Sequence, residues 1–233
     1  MSRLASDETS TDFRDGIFYR FHSFFIASVP LNQMLAARID LAGSLIEAGN
    51  WIRQFKDKTI VVCITGGFMD SEPAVQDCLS DLLFMSTVGV RTVVVHGGGN
   101  RVMSALEKAG MKPRFVDGQT VFDPDAAPLL EEVLARQLNE SLASEYEQLG
   151  GRAMTLNFES TPVLSGRLKP VEVEPGTDGA VVSVAEVTGV DRLVIDNLCY
   201  AGQVPVVPAM CLTDDDRKLA VSEVDAAVAV AGD

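Results

Sequence analysis

Two rhythms of apolar residues organise the chain. Short unbroken apolar runs, "TIVVCI" at 59–64 and "RTVVV" at 91–95, predict strands. Between and after them, apolar residues return every third or fourth place. That spacing predicts helices over "DSEPAVQDCLSDLLFMSTVGV" and "NRVMSALEKAGM", the second closed by Gly110. Both strands run into glycines, at Gly66–Gly67 and at Gly97–Gly98–Gly99. Strand, glycine turn, helix, repeated, is the order of a parallel α/β sheet. Short connections place both turns at the carboxyl edge, where open sheets bind ligands.

The same reading continues downstream. Residues 124–151 predict one long helix ended by Gly150–Gly151, and "RAMTLNF" a short strand. Residues 160–190, punctuated by Pro162, Gly166, Pro170, Pro175 and Gly176, predict hairpin structure. "DRLVIDNLCYAGQ" reads as a helix, "VPVVPAM" as a buried strand, "TDDDRK" as a turn, and "AVSEVDAAVAVAGD" begins a last helix. No internal repeat is present.

Upstream of the first strand the pattern changes. Residues 1–12 are small and polar, a composition that predicts disorder. Residues 13–30 hold Phe13, Phe18, Tyr19, Phe21, Phe24 and Phe25, interrupted by Arg20 and His22. Residues 31–55 place apolar side chains at helical spacing, weakened by Gly43 and Gly49. Three regions follow: an aromatic-rich extension (1–30), a helical segment (31–55) and the α/β domain (56–233). The aromatics suit either a segment docked on its own domain or a contact with another chain.

Charge narrows the partners. The 233 residues carry a formal net charge of −14. With no cluster of Lys and Arg, nucleic acid and anionic membranes are disfavoured. No signal peptide and no apolar run of membrane-spanning length is visible. Four separated cysteines (Cys63, Cys78, Cys199, Cys211) and two histidines predict free thiols, no metal site and a reducing, cytoplasmic setting.

The candidate chemistry sits at the glycines. Three consecutive glycines before a helix let backbone N–H groups face an anion. The alternative is a tight βα turn, with His96 a strand-end packing residue. The first turn, "CITGGFMD", has no cation beside it.

The segments "TIVVCITGGFMDSE", "TVVVHGGGNRVMSALEKAGM", "PRFVDGQTVFD", "LGGRAMTL", "EVTGVD" and "GQVPVVPAM" resemble, in order and spacing, the acetylglutamate kinases. The resemblance covers about residues 45–231 and implies the αβα sandwich of the amino acid kinase superfamily, with a mostly parallel central sheet. This chain corresponds to its N-terminal, amino acid-binding half. The implied reaction moves the γ-phosphoryl of ATP, with Mg²⁺, to the side-chain carboxylate of N-acetylglutamate in arginine biosynthesis.

Carried over residue by residue, the resemblance is incomplete. The family's first turn has a Lys where Ile64 stands, while the phosphate-binding pair Gly66 and Gly67 is kept. Gly98 and Gly99 match the pair whose backbone holds substrate. Thr120 stands where an Arg grips a substrate carboxylate. Ala220 replaces a substrate-contacting Asn, and Val224 replaces the Asp that orients the catalytic lysines, with Asp225 one residue late. The family's ATP-binding half would follow residue 231. The expectation is a non-catalytic or decayed relative that binds an amino acid derivative weakly and ATP not tightly. The alternatives are a working kinase, or an interaction subunit of a full-length kinase. Homo- or hetero-oligomers would assemble through residues 13–55.

Overall fold

A computed structural model describes residues 43–44, 46–116, 119–158, 160–171 and 182–232. The aromatic extension and most of the segment expected to mediate assembly lie outside these residues. Residues 46–55 form a helix, α1, on which Trp51 and Phe55 stack with ring centroids 5.9 Å apart.

The first strand, β1 (Thr59–Ile64), pairs in parallel with β2 (Arg91–His96). Between them run a single-turn helix, α2 (Gly66–Met69), and a long one, α3 (Glu72–Thr87). After β2 comes α4 (Gly99–Lys108). The next parallel partners arise much later in the chain: β5 (Ala153–Thr155) and β8 (Val204–Pro208) complete a sheet of order β1-β2-β8-β5. The valines of β2 and β8 are buried on both faces, as crossover connections require.

Alternation along the strands divides the core. Val62, Ile64, Val94, Val204 and Val206 face Val75, Leu79 and Leu82 of α3. The same cluster holds Leu142, Ala143 and Tyr146 of α6 (Asn139–Gln148). On the opposite face, Val61, Cys63, Val93, Val95 and Val207 meet Ile195 and Cys199 of α7 (Arg192–Tyr200). Ala226, Ala227 and Val230 of α8 (Glu223–Ala231) join them there. Helices on both faces of a parallel sheet make the expected αβα sandwich. Each large side chain fully buried in it contributes on the order of 1.5–3 kcal/mol.

A second four-stranded sheet, largely antiparallel, caps the α7–α8 side. It is built from β6 (Leu164–Val171), β7 (Val182–Val190), β9 (Met210–Leu212) and β10 (Lys218–Ala220), in the order β10-β9-β6-β7. The sequence indicated the 160–190 hairpin but not that it would join β9 and β10. A separate hairpin, β3 (Arg114–Val116) with β4 (Gln119–Val121), belongs to neither sheet.

The long helix expected over 124–151 is subdivided. It opens with a 3₁₀ turn, Pro124–Ala126, where Asp123 Oδ1 accepts from the Asp125 amide at 3.1 Å. Then follow α5 (Ala127–Leu130), a π-helical stretch Glu131–Leu138, and α6. Apolar spacing alone does not distinguish these windings, because Leu130, Val133, Leu134 and Leu138 reach the core throughout.

Candidate functional site

The parallel register pairs Ile64 with His96, so the two glycine turns emerge side by side at one sheet edge. The Gly97 amide donates to the Ile64 carbonyl at 3.0 Å. Gly99 has φ +51°, and a methyl group there would collide with the Gly66 carbonyl. This close approach of two backbones is what glycine permits at these positions.

What occupies the turns is a carboxylate of the chain itself. Glu223, the first residue of α8, accepts a hydrogen bond from the Gly66 amide through Oε1, at 3.1 Å. A methyl group on Gly97 would lie 2.9 Å from Glu223 Cδ, so the second turn closes on the same carboxylate. A second internal acid serves α4: Asp70 Oδ1 accepts from the Asn100 amide at 2.8 Å. Carboxylates are favourable at such positions, where amides and helix N-termini present positive potential.

The register of α8 explains why Glu223 arrives here. Ser222 caps the helix, its Oγ accepting from the Asp225 amide at 3.3 Å. Glu223 therefore starts the helix facing the turns, and Val224, at the position of the missing Asp, points outward and is 52% exposed. Asp225 is also exposed, on the first turn of α8.

Ile64 is 1% exposed, and its side chain sits in the α3–α6 core. The position where the resemblance expects Lys is thus a sealed apolar site.

Beneath the triple glycine lies a buried polar pair. His96 Nδ1 is 3.0 Å from the Gly97 carbonyl, which assigns its proton to Nδ1. His96 Nε2 and both amide atoms of Asn139 are buried without a hydrogen-bond partner. The Asn139 amide neighbours the ring without reaching hydrogen-bond geometry. Burial lowers the His96 pKa below its ordinary value, against the opposing pull of Gly97, Asn139 and Glu223.

Thr120 and Ala220 are brought together elsewhere, in a cleft between β4, β7 and β10. Gly66, Gly67, Gly98 and Gly99 do not line it. Lys218 lies two residues before Ala220 on β10 and therefore on the same face. It is the one Lys or Arg among the described lining residues. Its Nζ is 2.5 Å from Glu131 Oε1 and 5.0 Å above the Phe158 ring.

The four cysteines are free. Burial pushes each thiol up to about 11, with Glu223 adding to the effect at Cys63, Asp81 at Cys78 and Asp196 at Cys199. No group of three or more His, Cys, Asp or Glu among the described residues is placed to hold a metal ion. None of the described helices is long and apolar enough to cross a membrane.

Sequence reasoning missed Glu223 and Lys218. A signal existed for each. The Ser222-x-x-Asp225 spacing marks a helix start and fixes the register that aims Glu223, and strand alternation places Lys218 beside Ala220.

The amino acid kinase family matches residues 58–232. An acetylglutamate kinase of Rhizorhabdus wittichii is 32% identical over 195 residues, covering 82% of this chain and 65% of that protein. One from a Synechocystis species is 33% identical over 166 residues, covering 71% and 54%. The chain thus spans less than two thirds of either relative. Among solved structures, an N-acetylglutamate synthase from Neisseria gonorrhoeae, complexed with coenzyme A and L-arginine, superposes with a TM-score of 0.59. The identity is 22%, and the match covers 82% of this chain and 44% of that one. This likeness speaks to the fold alone.

Proposed function

Because this chain belongs to the amino acid kinase family, we propose that it is an acetylglutamate kinase-like protein of arginine biosynthesis that binds an amino acid derivative and does not transfer phosphoryl groups. The observation that carries this reading is the Glu223 carboxylate bound to the Gly66 amide, with Gly97 closed over it. A phosphoryl group in transfer is itself anionic and needs charge neutralisation at this place. Here it would meet a carboxylate instead, and the nearest family cation is replaced by buried Ile64.

The anionic γ-phosphoryl of ATP therefore does not fit the residues at the turns. Removing a single stabilising donor typically costs ~3–4 kcal/mol, or ~10²–10³ in rate. Exchanging a cation for an anion costs more than deleting it.

A second reading, a working acetylglutamate kinase, is favoured by the names of the relatives. One assay separates the two. Protein incubated with ATP, Mg²⁺ and N-acetylglutamate is trapped with hydroxylamine. The first reading expects no acyl hydroxamate above background, and turnover of ~1 s⁻¹ or faster establishes the second.

A further inference from the structure

We infer that Asn139 is a positioning residue for the second glycine turn: its amide donates to His96 Nε2 and so holds the ring in the tautomer whose Nδ1–H fastens the Gly97 carbonyl. The inference rests on the reading that the glycine turns close on Glu223, and it names the two buried side chains that shape one wall of that site.

Strand and helix periodicity bring the pair together. Val94 faces the α3–α6 side of the sheet, so His96, two residues on, faces the same side. On α6, Asn139 lies three and four residues before Leu142 and Ala143 and shares their core-facing stripe. His96 and Asn139 are both 0% exposed. Asparagine is a poor residue for a helix interior and a costly one for a core unless its amide is held. The chemistry supplies one match. With its proton on Nδ1, 3.0 Å from the Gly97 carbonyl, the ring presents a bare acceptor at Nε2. Asn139 Nδ2 is the orphaned donor beside it. A bond between them satisfies both atoms. Burial disfavours the imidazolium and so keeps that acceptor available.

The bond acts on the turn through one peptide plane. The peptide bonds of the described residues are trans. In a trans peptide the carbonyl and the amide that follows it point in opposite directions. Drawing the Gly97 carbonyl to His96 therefore turns the Gly98 amide away from the buried ring. Gly97 also walls the carboxylate: a methyl group there would lie 2.9 Å from Glu223 Cδ and 3.1 Å from the Gly66 nitrogen. Through His96, Asn139 thus sets the surface against which the Gly66–Glu223 bond is made.

Nitrogen-15 NMR of the histidine rings in the full chain, at mildly alkaline pH where both are neutral, tests this. The chain has two histidines, and His22→Gln assigns their signals. The native His96 ring is expected to carry its proton on Nδ1, and a proton on Nε2 overturns the inference without any variant. Asn139→Asp keeps the shape and removes the donor, so it should move a proton onto Nε2. Asn139→Leu should leave a mixture of tautomers. In either variant the Gly66 amide should exchange about tenfold faster relative to the Val94 amide. A merely structural role predicts a lower melting temperature, exchange that rises alike at Gly66 and Val94, and a proton that stays on Nδ1. Either of the last two results overturns the inference. If Asn139→Leu fails to fold, Asn139→Asp decides by the same two measurements. Turnover in hydroxamate trapping overturns the non-catalytic reading and leaves the role of Asn139 standing.

Discussion

The glycine-turn edge and the β4–β7–β10 cleft have changed in opposite ways. At the edge the glycines are present, and amides at the two turns donate to the chain's own Glu223 and Asp70. In the cleft, Thr120 and Ala220 stand where the resemblance expects polar contacts, and Lys218, on the same strand as Ala220, lines it together with the acid Asp123. A site built from backbone amides persists when its function changes, because the fold needs the turn. A site built from side chains is free to be rebuilt.

The sharpest way to break the comparison is to restore the expected residues at both places. Ile64→Lys should destabilise the protein by about 3–5 kcal/mol, since it buries an ammonium in the α3–α6 core without a partner. Thr120→Arg, at an exposed position, should shift stability by no more than about 0.5 kcal/mol. Urea denaturation of each variant gives both numbers. Equal costs would show that the two regions are not built differently. The double variant is expected to remain inactive in hydroxamate trapping, because Glu223 still fills the turns.

A smaller effect is expected from Glu223→Ala. The variant loses a charge-assisted bond, about 1.5–3 kcal/mol, and uncovers the Gly66 amide. Inorganic phosphate should then raise the melting temperature of the variant and leave that of the native protein unchanged. Phosphate stabilising both equally would show that Glu223 is not the occupant that excludes anions.

A separate test is the pH dependence of stability. Burial lowers the His96 pKa in the fold, whereas an exposed histidine titrates near 6.5. The unfolded chain therefore binds more protons in acid, and stability falls as pH drops below about 6.5. The buried thiols titrate near 11 in the fold against 9.0 when exposed. There the folded chain keeps protons that the unfolded one sheds, so stability falls as pH rises from 9 towards 11. Denaturation midpoints between pH 5 and 11 should show a plateau bounded on both sides. His96→Gln should flatten the acidic limb alone.

The sequence by itself determined the elements whose pattern is local. Unbroken valine runs and helical spacing marked the parallel strands and their covering helices. The glycines marked the turns, and the spaced motifs marked the family. It also gives Ile64, Thr120, Ala220 and Val224 at the positions where the resemblance expects charged or polar side chains. Only the tertiary structure decided what replaced them. Glu223 is 157 residues from Gly66 along the chain, and Lys218 and Thr120 line one cleft from different hairpins. Hydrophobic periodicity carries no information about such meetings, because it records which face is buried and not what lies opposite. The π-helical winding of Glu131–Leu138 was hidden for the same reason: its apolar residues remain inward under either winding.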